Sequence, residues 1–340
     1  MTLDQAVALS LMFDLPRAGL TARLQAEDPE LLERASLRAA EARELRTRAA
    51  ASGIGALAWN NPRFPAALLA IPDCPPLLWF RGDLSALAPP TVAIVGSRAA
   101  TAVALATAAR LGEDLAAHGL TVVSGLARGF DSAAHRGALR AGRTIAVLGS
   151  GPDTIYPREH AALATDIAAS GLVLSEYPPG TPPNAFHFPQ RNRLISGLSR
   201  AVVVIEASEK SGSLITAACA LEQGRDVMAV PGNVLSGRNR GGHALIRDGA
   251  TIVEGASDIV AELGLAPLAV CGGVKATTAP GSACSKDPLL RVMEEGQAYD
   301  IDALAAISGL DGVRLLPRLL DLELQGRVRR ADGGRFMRAG

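Results

Sequence analysis

Residues 91–135 read TVAIVGSRAATAVALATAARLGEDLAAHGLTVVSGLARGFDSAAH. A run rich in β-branched residues, TVAIV, is followed by an Ala-rich stretch of helical character and then by a second such run, TVVS. Strand–helix–strand units of this kind build parallel sheets that carry helices on both faces. The alternation continues to about residue 262, with the further strand-like runs TIAVLGSG, LVLSE, AVVVIEA, DVMAVPG and ATIVEG. This region therefore predicts an α/β fold with a mostly parallel sheet.

The flanking regions have different compositions. Residues 1–50 place apolar side chains at helical spacing, and 60–82 is so rich in Pro that we expect an extended connector with brief strands. The final fifty residues predict three helices and a hairpin with Asp-Gly at its tip, which together form a winged helix. The predicted domains are a helical domain at 1–55, the sheet domain at 56–265, a flexible linker at 266–286 and the winged helix at 287–340.

The totals exclude several classes of protein. The chain has 340 residues with 34 basic and 34 acidic side chains, so only a local patch can attract a charged partner. The scattered positions of Cys74, Cys219, Cys271 and Cys284 argue against a zinc site and a disulfide framework. The N-terminus lacks the features of a signal peptide, and no apolar run reaches membrane-spanning length. We expect a cytoplasmic protein without membrane contact.

Small and polar residues follow several of the predicted strands. In an open parallel sheet, ligands bind beyond the carboxyl ends of the strands, where helix N-termini supply N–H donors for anions. The residues expected there are Gly96, Ser97 and Arg98 after the first strand and Gly125, Arg128 and Gly129 after the second. Glycine allows a close approach of the backbone, and a guanidinium can hold a phosphate by two hydrogen bonds. The pattern predicts an anion site.

A second cationic cluster belongs to the same edge of the sheet. The segment 184–200, NAFHFPQRNRLISGLSR, carries three arginines and no acidic residue, and it precedes the fifth predicted strand. We expect helix N-termini at Arg191, Asn192 and Arg193 and again at Lys210 and Ser211. Cations on separate loops suit a run of phosphates, and Phe188 or His187 beside them could stack on a base, which favours single-stranded nucleic acid.

Plainer interpretations compete with this one. The glycines could serve only tight turns, and Phe188 could belong to the core. Neither GxGxxG after the first strand nor GxxxxGK[ST] is present, so we expect no nucleotide cofactor. The scattered cysteines likewise predict no metal site. Asp131 and His135 share a helix face without a matched nucleophile. We expect Asp131 to cap its helix and His135 to be bonded internally, and we predict no catalytic residue.

Residues 60–260 resemble the DNA-processing protein A family, also called DprA or Smf, in motifs that follow one another without large gaps: VAIVGSR, SGLARGFDSAAH, TIAVLGSGPDTIYP, LSEYPPGTPP, FPQRNRLISGLS, VVVIEASEKSGSLITAACALEQGR and VMAVPGN. The resemblance implies an extended Rossmann-like, doubly wound domain that binds single-stranded DNA without a cofactor. It also implies loading of the RecA recombinase during natural transformation and a homodimer through the Rossmann domain. Its DNA-binding arginines correspond to Arg98, Arg191 and Arg193, and the position of Lys210 adds that residue.

This sequence departs from the family pattern in three places. Phe130 stands where Ile usually follows SGLARG, which suggests a packing change. The N-terminal helices, SAM-like in the family, lack the usual GIG-type turn. The presumed recognition helix at 311–325 mixes acidic and basic residues, whereas the hairpin after it is strongly basic. We therefore expect the winged helix to bind protein or to act as an auxiliary wing, more than to read a DNA sequence.

Two other functions remain open at this point. One is a nucleotide phosphoribohydrolase-like enzyme on a related fold, since KSGSLITAACALEQG resembles its Gly-rich helix start but lacks the PGGxGTxxE motif. The other is a scaffold whose anion-binding edge is vestigial. The leading prediction is a non-enzymatic mediator that protects incoming single-stranded DNA and binds it through phosphates, independently of sequence.

Overall fold

The first predicted strand already requires helices on both of its faces. Val92 and Ile94 point into one hydrophobic cluster, whereas Ala93 and Val95 point into a second cluster on the opposite face. A strand buried on both sides is typical of a parallel sheet between two helical layers. The computed structural model confirms the predicted α/β fold and describes residues 1–12, 15, 19–97, 100–265, 288–293, 297–308, 312–324, 327–331 and 335–338.

The large sheet has nine strands among these residues, in the order β1-β2-β6-β5-β4-β3-β7-β8-β9. Their bounds are β1 Gly55–Ala58, β2 Leu77–Gly82, β3 Thr91–Val95, β4 Thr121–Ser124, β5 Thr144–Leu148, β6 Leu172–Ser175, β7 Ala201–Val204, β8 Asp226–Ala229 and β9 Thr251–Ile252. β1 and β2 are antiparallel extensions at one side, and all pairs from β6 to β9 are parallel. The seven strands predicted from the alternation are all present.

The helices that accompany this sheet alternate with its parallel strands from the helix Ala102–Ala117 onward, as predicted. They are α1 Leu3–Ser10, α2 Leu20–Gln25, α3 Pro29–Leu37, α4 Ala39–Ala51, α5 Ala66–Leu69, α6 Ala102–Ala117, α7 Phe130–Ala141, α8 Ala161–Ser170, α9 His187–Leu198, α10 Ser213–Glu222, α11 Arg240–Arg247 and α12 Ala256–Glu262. α6, α7, α8 and α12 cover one face, and α5, α9, α10 and α11 cover the other. The sheet is therefore doubly wound.

The helices α1–α4 do not form a core by themselves. Leu9, Leu31 and Ala42 pack in one cluster with Leu77 and Trp79 of β2. A capping box at Thr2 begins α1, and Asp28 caps α3. The predicted N-terminal helices are thus confirmed, and the antiparallel extension of the sheet provides the surface against which they pack.

The chain divides into two compact units, Met1–Ala269 and Val270–Gly340. In the second unit the described elements are α13 Pro288–Val292, β10 Ala298–Tyr299, α14 Ile301–Ser308, α15 Gly312–Leu324, β11 Val328–Ala331 and β12 Arg335–Arg338. Leu304, Leu315 and Phe336 lie in its own apolar core, and its strands have the order β10-β12-β11. The winged helix is confirmed. The domain boundaries stay a prediction, and the linker at 266–286 lies outside the described residues.

Candidate nucleic-acid interface

The strand order places a cleft at the point where the chain changes direction across the sheet. The chain runs from β3 outward through β4, β5 and β6, and α9 then returns it to β7 on the other side of β3. Ligands of open α/β sheets bind at such a switch point, beyond the carboxyl ends of the strands. A cleft of about 750 Å³ opens there, and the predicted residues that line it are Gly96, Ser97, Phe188, Arg191, Asn192, Lys210 and Ser211.

The other predicted residues have different positions. Gly125 and Arg128 line a smaller cavity of about 40 Å³, which shares Tyr156, Phe188 and Arg191 with the cleft. Gly129 and Arg193 line neither, and Arg98 lies outside the described residues. Most of the residues predicted to bind DNA therefore line the cleft. The DNA-binding role of the set stays a prediction.

Arg191 forms part of the floor of the cleft. α9 begins at His187, so the prediction of a helix N-terminus at residues 191–193 is wrong by one turn. Only 4 % of Arg191 is exposed, and its guanidinium donates to the carbonyl of Gly125 at 2.7 Å and to the carbonyl of Val147. A Cβ at position 125 would lie 2.5 Å from both terminal nitrogens of this guanidinium. Gly125 is therefore needed for this side chain, which ties α9 to the ends of β4 and β5.

Asp131 and His135 lie beneath the same floor and are held by internal hydrogen bonds. The Asp131 carboxylate accepts from the backbone N–H groups of Gly125 and Ala127, at 3.1 and 3.2 Å. Burial raises the pKa of Asp131, and the attraction of Arg191 opposes that rise. The Nδ1 atom of His135 is hydrogen-bonded to Thr144 Oγ1. Burial, as the largest cause, and repulsion from Arg191, as a smaller one, lower the pKa of His135 to about 3. The expected internal bonding of His135 is confirmed. The prediction that Asp131 caps its helix is wrong, because α7 begins at the N-cap Gly129 without a side-chain cap and the Asp131 carboxylate bonds the loop that precedes the helix.

Arg193 faces away from the cleft. Its Nε lies 3.0 Å from an Asp73 carboxylate oxygen, and its Nη2 lies 2.5 Å from Glu176. A small cavity beside it is lined by α1 residues Leu9 and Ser10. Residues two apart on a helix do not share a face. Arg191 and Arg193 therefore point in different directions, although the sequence places them side by side on one edge.

The exposed cation of the cleft is Lys210. Of the described residues that line the cleft, two are cationic, and Arg191 is buried near Asp131 whereas Lys210 is exposed. Lys210 precedes α10, whose Gly212 N-cap offers no side-chain hydrogen bond, and Ser211 Oγ lies 2.7 Å from Ser213 Oγ. The positive end of the α10 dipole, two hydroxyls and an ammonium thus face one space, which is an arrangement suited to an anion.

Aromatic rings stand at the mouth of the cleft. The ring centroids of Tyr156 and Phe188 lie 5.5 Å apart, both line the cleft, and Phe188 is half-buried against Gly149. Phe186, in the same segment, is 78 % exposed. Sequence reasoning missed Tyr156 and Phe186, although each lies in a motif that it singled out. Rings with a free face at the mouth of a cationic cleft can stack on unpaired bases.

Packing and backbone conformation account for glycine at two of the strand ends. A Cβ on Gly96 would lie 2.4 Å from the ring of Phe130, which is fully buried. The packing change expected at Phe130 stays a prediction, and the structure places this ring in the core against Gly96. Gly129 is the N-cap of α7 and has a φ of 83°, a backbone conformation that residues with a Cβ rarely adopt. Arg128 forms a two-pronged ion pair with Glu159 at 2.7 and 2.8 Å, which compensates its charge.

Other chemistry finds no support among the described residues. They include no group of three His, Cys, Asp or Glu side chains that could hold a metal ion. Cys74 is buried, and burial raises the pKa of its thiol to about 12. Within the part of the chain that the structure describes, no helix is both long and apolar enough to cross a membrane.

Comparison with known proteins identifies the family. The model of the DNA recombination-mediator protein A family matches residues 55–264, which is more than half of the chain. The chain belongs to this family. The DprA winged helix domain matches residues 275–334. Protein Smf of Escherichia coli (strain K12) is 40 % identical over 277 residues, which cover 80 % of this chain and 74 % of that protein.

Two solved structures of the DprA family are similar to this chain. The crystal structure of DNA processing protein A from Streptococcus pneumoniae has a TM-score of 0.64 and 38 % identity, over 76 % of this chain and 93 % of that one. The protein from Helicobacter pylori has a TM-score of 0.57 and 31 % identity, over 62 % of this chain and 95 % of that one. The Helicobacter structure is described as showing a single-stranded DNA binding mode of that protein.

Proposed function

We propose that this protein is a recombination mediator that binds single-stranded DNA in the cleft at the switch point, without regard to sequence and without catalysis. The observation that carries the proposal is the composition of the cleft. An exposed ammonium, the N-terminus of α10 and a pair of aromatic rings line one space of about 750 Å³. Phosphates fit the first two groups and bases fit the third.

The electrostatics favour an open strand over a small phosphate ligand. Arg191 is buried and attracts Asp131, and Arg128 is paired with Glu159. Among the described residues that line the cleft, Lys210 is therefore the exposed cation that can meet a phosphate at the mouth. A strand that lies across the mouth can contact these groups and still reach the exposed ring of Phe186. The Helicobacter relative, described as binding single-stranded DNA, supports the same choice.

Binding is tested by fluorescence anisotropy of a labelled oligo-dT over a salt series. We expect affinity to fall steeply with salt, and Lys210→Ala to reduce the slope of log K against log salt by roughly 0.7, the value for one phosphate contact on a single strand. Arg110→Ala is the matched control, because Arg110 is an exposed cation on α6 away from the cleft. Equal slopes for wild type and Lys210→Ala would place the strand elsewhere.

The absence of catalysis rests on the bonds beneath the cleft. Asp131 and His135, the acid and base that share one face of α7, are both buried and hydrogen-bonded within the protein. An assay for ribose 5-phosphate release from nucleoside monophosphates is expected to give no product above the background of a blank. Release that depends on the protein would favour the phosphoribohydrolase alternative.

Two finer parts of the proposal concern partners. Membership of a recombination-mediator family supports loading of RecA onto the bound strand and a homodimer through the Rossmann domain. We expect the protein to raise the rate of RecA ATP hydrolysis on single-stranded DNA that is coated with a single-strand-binding protein. We also expect sedimentation at the mass of two chains. An unchanged ATPase rate contradicts the first expectation, and sedimentation as a single chain contradicts the second.

A further inference from the structure

The loop after β8 lies beside the loop that carries Lys210. β7 and β8 are parallel neighbours with Val204 opposite Ala229, so the chain leaves both strands at the same edge of the sheet. The N–H of Val230 still donates to the carbonyl of Val204 at 2.9 Å. Residues 230–240 thus continue the edge that begins at the cleft, one strand further from the switch point.

A buried asparagine fixes this loop to the edge. Asn239 is 2 % exposed; its Oδ1 accepts from the N–H of Ala207 at 2.9 Å, and its Nδ2 donates to the carbonyl of Val230 at 3.0 Å. The N–H of Gly241 also donates to the carbonyl of Ala207, at 2.8 Å. A Cβ at Gly242 would lie 2.3 Å from Asn239 Oδ1, so the packing is close. The segment is therefore held in a defined position next to residues 207–210.

The residues on either side of Asn239 are exposed arginines. Arg238 and Arg240 flank the buried side chain, and both are exposed. Residues 230–247 contain no acidic residue. Two acids lie in the neighbouring loop after β7. Burial raises the pKa of Glu206 and the attraction of Arg238 opposes that rise, and Glu209 is exposed. Arg238, Arg240 and Lys210 thus outnumber Glu206 and Glu209, and this part of the edge carries a net positive charge.

We propose that Arg238 and Arg240 extend the single-stranded DNA track beyond the cleft, so that a strand leaving past Lys210 continues over the end of β8. This inference rests on the proposed function and deepens it by naming a second set of phosphate contacts. A short oligonucleotide fills the cleft alone, and only a longer one reaches the two arginines.

The test compares two lengths of oligo-dT, of about six and about twenty nucleotides, by anisotropy over a salt series. On the longer probe, Arg238→Ala/Arg240→Ala is expected to reduce the slope of log K against log salt by roughly 1.4, for two phosphate contacts. If the affinities are equal at about 1 M salt, this difference is roughly a 25-fold loss of affinity at about 0.1 M salt. On the shorter probe, the same variant is expected to bind like the wild type. Arg247→Ala is the matched control, since Arg247 is exposed at the other end of the same helix.

Each outcome separates the inference from the function on which it rests. If the wild type binds neither probe, the proposed function and this inference fail together. If the double variant matches the wild type on both probes, or if Arg247→Ala loses as much, the extension is overturned and the cleft remains. Arg238→Lys/Arg240→Lys keeps the charges and is expected to restore the slope, which distinguishes lost contacts from a disturbed fold.

Discussion

Replacing Arg193 with Ala should reduce the stability of the fold and leave DNA binding by the folded protein unchanged. Arg193 is almost buried between Asp73 and Glu176, whose side chains are 26 % and 8 % exposed. Lys210 is the contrasting case, because it is exposed at the mouth of the cleft. The two substitutions each remove one positive charge, so they form a matched pair.

The size of the effect follows from the burial of Glu176. Removing one partner of a buried ion pair leaves the other charge without compensation, which costs about 3–5 kcal/mol. Lys210→Ala removes an exposed side chain and should change the free energy of unfolding by less than about 0.5 kcal/mol. Its expected effect is instead on the salt slope of DNA binding, by roughly 0.7.

Both quantities are measurable on the same samples. Urea unfolding gives the stability, and a shift of the midpoint at constant m-value reports a change in stability alone. Glu176→Gln together with Arg193→Ala should recover part of the loss, because the double variant no longer buries an unpaired carboxylate. The reasoning is refuted if Arg193→Ala unfolds like the wild type but loses affinity and salt slope, since its charge would then face the DNA.

Three further outcomes are expected. Gly137→Ala should destabilise the fold by about 1–3 kcal/mol in urea, because its Cβ would lie 1.8 Å from the carbonyl of Ala109 and this clash outweighs a gain of about 1 kcal/mol in helix propensity; equal stability would contradict the close packing of α6 on α7. The folded-state pKa of His135 is about 3, below its ordinary value of 6.5, so the unfolded chain takes up the proton first and stability is lost on acidification. Between pH 7 and pH 5 this residue should contribute a loss of about 2 kcal/mol, which His135→Gln removes, and unchanged pH dependence of urea unfolding in that variant would show that His135 is not buried in its neutral form. Residues 1–269 alone should keep salt-dependent oligo-dT binding, because the cleft lies in this unit, and lost anisotropy would instead assign the binding to the winged helix.

The sheet could be predicted because its signals are local and repeated. Seven β-branched runs separated by Ala-rich helices leave few alternatives to a parallel sheet. The edge that carries the cleft followed from the same pattern, since all parallel strands end there. The antiparallel strands β1 and β2 were harder, because Pro-rich surroundings hide brief strands and the sequence contains no signal for their pairing with β6.

The direction of each side chain could not be predicted in the same way. The start of α9 at His187 decides which face each arginine occupies, and helix boundaries are set by tertiary contacts as much as by sequence. Arg191 turns inward because Gly125 leaves room for its guanidinium beside two strand-end carbonyls. Arg193 turns outward from the cleft because Asp73 and Glu176, far away in the sequence, converge on it. None of these partners shares a motif with the arginine that it holds.

The excess of arginine in 184–200 therefore has a different explanation from the one that the segment suggests by itself. Two of its three arginines interact with acids from other segments: Arg191 attracts Asp131, and two carboxylates face Arg193. A chain with 34 cations and 34 anions can present a positive edge only where such compensation is missing. Residues 230–247 contain three arginines and no acidic residue, so cations outnumber acids along this segment. The arginines of α9 attract attention in the sequence, but in the folded protein they interact with acids from other segments. The loop after β8 is therefore the better candidate for a positive part of the edge.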